Sequence, residues 1–195
     1  MALVSAAVDA VLRDLEVFGR ENDAHTADRN RKMLNLERET AELVHILIRT
    51  GNRRRVLEIG TSNGYSTLWI AAALGENGIL ETLDRDGDKL AEARRNLARA
   101  GLDGRVRVYH GAGTDIVAAL PGPFDCVFFD ADRVSAPDQL ALLLPKLTRG
   151  CLLLADNALS HPDQIAGYVA AVEALPGVST TILPVGKGLH VTCCP

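Results

Sequence analysis

Three short stretches of this chain carry side chains that burial alone does not explain. Residues 126–133, CVFFDADR, run four apolar residues into Asp130, Asp132 and Arg133. Residues 152–157, LLLADN, run the same way into Asp156 and Asn157. An unpaired carboxylate at the end of a buried strand costs free energy, so something must gather at these ends. Two carboxylates and an amide carbonyl suit a hard dication such as Mg2+, which takes oxygen ligands and keeps several waters. No His or Cys joins them at ligand spacing, which argues against zinc. Taken alone, Asp156-Asn157 also reads as an ordinary loop turn.

The third stretch is VLEIGTSNGYS, residues 56–66. Gly60 and Gly64 stand where a strand passes into a helix, and glycine there lets the backbone turn tightly and approach a ligand. The spacing is G-x-x-x-G and not the G-x-G-x-x-G that cradles a dinucleotide pyrophosphate, which disfavours a nicotinamide dehydrogenase. Glu58 adds negative charge beside the loop. That suits a ligand carrying positive charge, such as the amino group or sulfonium of S-adenosylmethionine. Asp84 ends the next apolar run, ILETLD, where an acid can accept hydrogen bonds from both hydroxyls of a ribose. Asp84 could instead cap the following helix, but Asp86 is better placed to do so.

Elements must hold these residues in place. Val4, Val8, Val11, Leu15 and Phe18 recur at spacings of four and three, the stripe of an amphipathic helix. Leu36, Thr40, Leu43, Val44 and Leu47 give a second stripe, and the polar stretch GRENDAHTADRNRK between the two reads as mobile or partly helical. From Arg55 onward the β-prone runs VLEI, ILETL, VRVY, CVFF and CLLLA alternate with helical stretches, which implies a parallel sheet with helices on both faces. VSTTILPV and LHVTCC follow, joined by Gly186-Lys187-Gly188, so tightly that they must be antiparallel neighbours. The expected architecture is an α/β fold with seven strands, mostly parallel, with an antiparallel hairpin at one edge. Open sheets of this type bind ligands outside the carboxyl ends of their strands. Gly60, Asp84, Asp130 and Asp156 all fall on that edge.

The 195 residues suit one domain, 1–195, with residues 1–35 as an N-terminal helical extension. The composition, 47% apolar with no run of membrane-spanning length, reads as globular with no membrane partner. Asp9, Asp14 and Glu16 near the start do not fit a secretory leader, and the expected compartment is the cytoplasm. A net charge of −4 weakly disfavours nonspecific nucleic-acid binding. Arg53-Arg54-Arg55 reads as a solvated strand entrance, with an RNA-contacting patch as the alternative. Cys126, Cys151, Cys193 and Cys194 show neither zinc nor disulfide spacing and read as structural thiols.

VLEIGTSNGYS, TLDRD, HGAGTDIV, FFDADR and LLADN, in that order, resemble the motifs of class I S-adenosylmethionine-dependent methyltransferases. The whole stretch from Leu36 onward is similar to the cation-dependent O-methyltransferase family, which includes the catechol and caffeoyl-CoA enzymes. The resemblance implies a doubly wound, Rossmann-like sheet. It implies that Glu58, Gly60, Thr61, Ser62, Gly64, Ser66, Asp84, Arg85 and Asp130 surround S-adenosylmethionine, with Leu36 contributing backbone. Many relatives carry an acid at the position of Ala112, so the loop backbone and Gly113 would here hold the adenine. The family's metal ligands fall on Asp130, Asp156 and Asn157, for Mg2+ or another divalent cation, and Asp132 has no such role.

The family usually has a lysine three residues after its first metal ligand, where it helps remove a phenolic proton. Arg133 stands there in this chain. Arginine stays protonated, so as a catalytic residue it could only stabilise negative charge or anchor an acid. The following VSAPDQL also lacks the aromatic residue common in the family. His161 reads as a first-turn surface histidine, and Ser160 as a helix start with Asp163 at the third position. The expected activity is methyl transfer, with Asp130 and Arg133 as catalytic residues, to a hydroxyl of a small catechol-like or other vicinal-oxygen molecule. Two alternatives stay open: methylation of a hydroxylated transfer-RNA base, and cofactor binding with weakened catalysis. A homodimer is expected if the first helix packs between subunits, as the family's N-terminal segment commonly does; otherwise its stripe covers the protein's own sheet.

Overall fold

Seven β-prone segments five to nine residues long form one sheet, seen in a computed structural model that describes residues 3–195. The strands are β1 (Arg55–Ile59), β2 (Ile79–Asp84), β3 (Val106–His110), β4 (Phe124–Phe129), β5 (Leu147–Ala155), β6 (Ser179–Leu183) and β7 (Leu189–Cys193). Their order across the sheet is β3-β2-β1-β4-β5-β7-β6. The first five are parallel, while β7 runs antiparallel to both β5 and β6. The expected architecture is therefore found, including the edge hairpin. Strand order reverses between β1 and β4, which opens a crevice beyond their carboxyl ends.

Side-chain alternation divides the core between the two faces of the sheet. Val56, Cys126 and Phe128 face one layer, and Leu57, Val127 and Phe129 face the other. The second layer holds α5 (Gly113–Ala119), α6 (Ala136–Leu143) and α7 (Pro162–Glu173). The first holds α1 (Ala6–His25), α2 (Arg38–Thr50), α3 (Tyr65–Ala73) and α4 (Gly87–Arg99). In α3 every residue but Ala72 is buried, and its sequence YSTLWIAAA has no polar face. A helix apolar all round must be covered on all sides. The cover comes from α1 and α2, which pack against it.

Val8, Val11, Leu12 and Leu15 supply that cover, whereas Phe18 from the expected stripe is 43% exposed. The stripe of α1 is therefore used within the chain, which removes the observation that argued for a second copy. Arg38 of α2 donates to Asp9 and Glu16 of α1 and to Glu42 of its own helix at 3.2, 2.9 and 3.0 Å, and its guanidinium stands over the Trp69 ring of α3. Glu16 also accepts from the Tyr65 hydroxyl at 2.7 Å. The polar stretch after α1 is more ordered than its composition suggests. Helix α1 runs to His25, a single 3-10 turn covers Arg29–Arg31, and the Asp23 carboxylate accepts from the backbone N–H of Met33 and Leu34 at 2.7 and 2.9 Å.

The basic run at the entrance to β1 is solvated at Arg54, as expected, and engaged with the protein on either side of it. Arg53 donates to the carbonyls of Asp125 and Gly150, and the Asp125 carboxylate accepts from the backbone N–H of Arg54 and Arg55. These contacts close the amino-terminal edge of the sheet, opposite the crevice. All four cysteines are free, and only Cys193 is exposed. Among the described residues no helix is long and apolar enough to cross a membrane.

Glu58 belongs to this frame. It is fully buried in β1 and accepts from the hydroxyls of Ser66, Thr67 and Thr82, each at 2.6 Å. Burial pushes its carboxyl up to about 7 against the pull of those three donors, and the charge of Asp84 adds to the rise. A folded-state pKa above the unfolded one makes its contribution most favourable below about pH 4.5 and removes it as pH rises through about 7. Glu58→Gln lacks that titration. Relative to wild type, its unfolding free energy should improve by about 2 kcal/mol between pH 5 and pH 8. Chemical denaturation at both pH values checks this, and a difference that does not change with pH contradicts it.

Candidate active site

The crevice is a cleft of about 1640 Å³, more than a small ligand alone would need. Backbone hydrogen bonds between neighbouring strand ends fix its floor. Gly60 and Thr61 N–H donate to the Leu83 carbonyl at 2.9 and 3.2 Å, Asp130 N–H to Ile59 at 2.9 Å, and Asp156 N–H to Phe129 at 3.1 Å. The parallel register pairs Ile59 with Phe129 and Phe129 with Ala155, so Asp130 and Asp156 leave the sheet side by side.

Twelve of the residues expected at the site line this cleft: Leu36, Gly60, Ser62, Ser66, Asp84, Arg85, Ala112, Gly113, Asp130, Arg133, Asp156 and Asn157. Glu58, Thr61 and Gly64 do not. Glu58 stands behind the wall and holds Ser66 by its hydroxyl. Thr61 is buried with its hydroxyl against that of Thr82 at 2.7 Å. Gly64 starts α3 in the left-handed region, and a Cβ there would sit 3.1 Å from the Ala93 Cβ of α4. It permits two helices to approach, where the sequence suggested approach to a ligand.

At one end of the cleft Asp84 accepts from Ser62 N–H at 2.8 Å and from Asp86 N–H at 3.0 Å. Those two donors fix the carboxylate and leave lone pairs that could bind hydroxyl groups. Asp86 caps α4, as expected, accepting from the N–H of Asp88 and Lys89. Ser62 holds a left-handed φ of 47°, uncommon for a residue with a side chain, and its hydroxyl donates to the Met33 carbonyl at 3.1 Å. That bond and one from Lys89 Nζ to the Lys32 carbonyl, at 2.6 Å, strap residues 29–36 along the cleft.

At the other end lie the two acids. Burial drives Asp130 well above the usual carboxylate range, and the charge of Asp156 adds to the effect. Burial also raises Asp156, to about 6, against a backbone hydrogen bond from Asn157. The Oδ1 atom of Asp156 is buried with no hydrogen-bond partner. Asn157, at a left-handed φ of 68°, donates from Nδ2 to Asp156 Oδ2 at 2.6 Å and accepts from Ser160 Oγ at 3.2 Å. Its amide oxygen keeps a second lone pair. Among the described residues no three His, Cys, Asp or Glu side chains could share a metal, and the oxygen atoms gathered here are those of two carboxylates and one amide. A partnerless buried carboxylate oxygen beside a second buried carboxylate fits a hard dication and not zinc.

Arg133 and three further residues, His161, Lys187 and Arg29, reach this end. Helix α7 starts after His161, which lines the cleft and is the N-cap, so Ser160 is not the helix start. Arg133 Nη1 donates to Gln164 Oε1 at 3.1 Å. Lys187 also lines the cleft, although its place between Gly186 and Gly188 suggested only a turn. Its carbonyl accepts from Leu159 and Ser160 N–H at 2.9 and 3.1 Å, which pins the β6–β7 turn to the loop after β5. Arg29, from the 3-10 turn, completes the group.

Gly60 controls the placement of Asp130. Its φ is +113°, and a Cβ there would lie 2.3 Å from the Asp130 carbonyl oxygen, a backbone atom that cannot swing aside. Gly60→Ala should therefore destabilise the fold by about 3 kcal/mol. Gly101→Ala, with φ +68° but open space, should cost about 1 kcal/mol. Thermal unfolding of the two variants checks the contrast, and equal losses would contradict the close approach.

A profile of the O-methyltransferase family matches residues 7–190. The catechol O-methyltransferase of Niastella koreensis is 34% identical over 162 residues, a match covering 78% of this chain and 72% of that one. The catechol O-methyltransferase of Mycobacterium tuberculosis is 40% identical over 107 residues, covering 54% of this chain and 49% of that one. Among solved structures, an O-methyltransferase from Bacillus cereus in complex with SAH gives a TM-score of 0.79 at 25% identity, over 98% of this chain and 91% of that one. The O-methyltransferase TomG of Streptomyces achromogenes, involved in tomaymycin synthesis and solved with SAM, gives 0.77 at 27% identity, over 97% and 90%. The family match spans every loop of the cleft. The chain belongs to the O-methyltransferase family, enzymes that take their methyl group from S-adenosylmethionine.

Proposed function

We propose that the chain is a divalent-cation-dependent O-methyltransferase acting on a small molecule with vicinal hydroxyls, of the catechol type. The observation that carries this reading is the set Asp130, Asp156 and Asn157 at adjacent strand ends, with Asp156 Oδ1 unpartnered. The names of the Niastella and Mycobacterium relatives support the substrate class.

S-adenosylmethionine would lie along the end of the cleft lined by Gly60, Ser62, Ser66 and Asp84 and supply an electrophilic methyl group. Asp84, already aimed by two backbone donors, would accept from its ribose. Leu36, Arg85, Ala112 and Gly113 would close around the nucleoside, and Asp130 would face the methyl-bearing end. Asp130, Asp156 and Asn157 would hold the dication, most simply Mg2+, which supplies Lewis acidity that favours loss of a substrate hydroxyl proton near neutral pH. Arg133 cannot accept that proton, and its fixed positive charge would stabilise the resulting negative one. With both reactants held in one cleft, most of the acceleration comes from orientation. The transfer-RNA alternative called on Arg53–Arg55 and on the basic segment DRNRK, residues 28–32; Arg53 and Arg55 are engaged at the far edge of the sheet, which weakens it.

Labelled methyl transfer to catechol tests the reading. It should stop in excess chelator, return with Mg2+, and fall at least about a hundredfold in Asp156→Ala. Undiminished transfer in chelator would overturn the metal requirement. Asp84→Ala should weaken S-adenosylmethionine binding about tenfold or more, the scale of one charge-assisted hydrogen bond. Calorimetry on the folded variant checks this, and unchanged affinity would remove Asp84 from the site.

A further inference from the structure

Three cations from three separate elements converge on one end of the cleft. Arg29 comes from the 3-10 turn, Arg133 from the loop after β4, and Lys187 from the β6–β7 turn; all three line the cleft with His161, Arg133 bonded to Gln164 in the first turn of α7 and the Lys187 carbonyl to Ser160 N–H. Arg133 and Lys187 also lie close to Asp130 and Asp156, so the group stands at the acceptor end and not around Asp84. Water screens these charges at the rim, Arg29 being exposed, and an anion entering the cleft would be attracted by all three.

The protein supplies little of that opposite charge. Lys187 pairs with Glu37 at 2.6 Å. Asp132 is occupied by Val134 N–H and the Ser135 hydroxyl. Arg133 reaches only the neutral amide oxygen of Gln164, and its Nε is buried with no partner. Arg29 makes no ion pair among the described residues. If a dication offsets Asp130 and Asp156, as in the function proposed above, Arg29 and Arg133 remain uncompensated.

We propose that the acceptor carries an anionic substituent, a carboxylate on the ring that bears the vicinal hydroxyls, and that Arg29, Arg133 and Lys187 select it. Guanidinium groups match a carboxylate in charge and in planar, two-pronged geometry. Apolar surface lies beside the cations within the cleft: Leu34, on the same strap as Arg29, lines it and is 45% exposed, and Ala131 lines it beside Asp130. A small aromatic acid meets both features; a neutral diol meets only the second.

This inference rests on O-methyl transfer to vicinal oxygens, and a matched pair of acceptors separates the two claims. 3,4-Dihydroxybenzoate and 3,4-dihydroxybenzamide differ little in shape and by one unit of charge. With Mg2+ and S-adenosylmethionine, wild type should show a kcat/KM at least about tenfold higher for the acid. Calorimetry in the presence of S-adenosylhomocysteine should show the same order of affinities. In Arg29→Gln and in Lys187→Gln the preference should shrink several-fold, and Arg29→Lys should keep part of it. Equal kcat/KM for acid and amide in wild type, or variants that lower both by the same factor, would overturn the anion assignment while leaving O-methyl transfer standing. Methylation of neither diol would overturn both.

Discussion

Two carboxylates leave the sheet side by side, and their shared negative charge is the constraint to which the rest of the site answers. The register of β4 and β5 pairs Phe129 with Ala155, and the next residue on each strand is an aspartate. Neither can move away, because each backbone N–H is bonded to the neighbouring strand. Burial and mutual repulsion both oppose ionisation there, which is a costly arrangement for a protein that needs only a stable core. The cost becomes intelligible when a cation is part of the working state. Lys187 and Arg133 reduce it in part, since both lower the proton affinity of Asp130 and Asp156.

The layers around the sheet serve that arrangement. Buried nearly all round, α3 places the start of its first turn against the cleft only because α1 and α2 cover its outer side. The same N-terminal segment then continues as the strap over the cleft, held by Asp23, Ser62 and Lys89. At the opposite wall, the β6–β7 turn is tied to the loop after β5 and packs against the start of α2. The first and last segments of the described chain thus close the site from both sides. A change far from the acids, in the contacts of Arg38 for example, would reach them through this frame.

Much of this was legible in the sequence, for physical reasons that differ by element. Strands β1, β2 and β4 are short, largely apolar runs that pass into glycine or acid, a pattern suited to burial on both faces and a polar edge. Strand β3, at the edge of the sheet, instead alternates and has no buried residue. Strand β5 is longer than its apolar run: it begins at Leu147, and the polar Thr148-Arg149-Gly150 hides its first residues. The acids were legible because a buried strand rarely runs into carboxylates unless a partner of opposite charge meets them there. Glu58, Thr61 and Gly64 belong to the frame and not to the cleft, since adjacency to a glycine loop does not say which side of the loop a residue faces. Arg29 and Lys187 could not be placed at all. They approach the acid end from more than fifty residues away from Asp130 in the chain, and only the folded strap and hairpin bring them there. One clue existed for Lys187, which is one of only four lysines and sits where two glycines force a tight turn.

The central claim is that Asp130, Asp156 and Asn157 form a cation site. Crystals grown with Mn2+ and S-adenosylhomocysteine, with anomalous scattering measured at the manganese edge, test it most directly. The account predicts one strong peak between the carboxyl ends of β4 and β5, with oxygens of all three side chains in its ligand shell. No peak there at saturating Mn2+, or a peak bound by other residues with Asp156 still unpartnered, would contradict it.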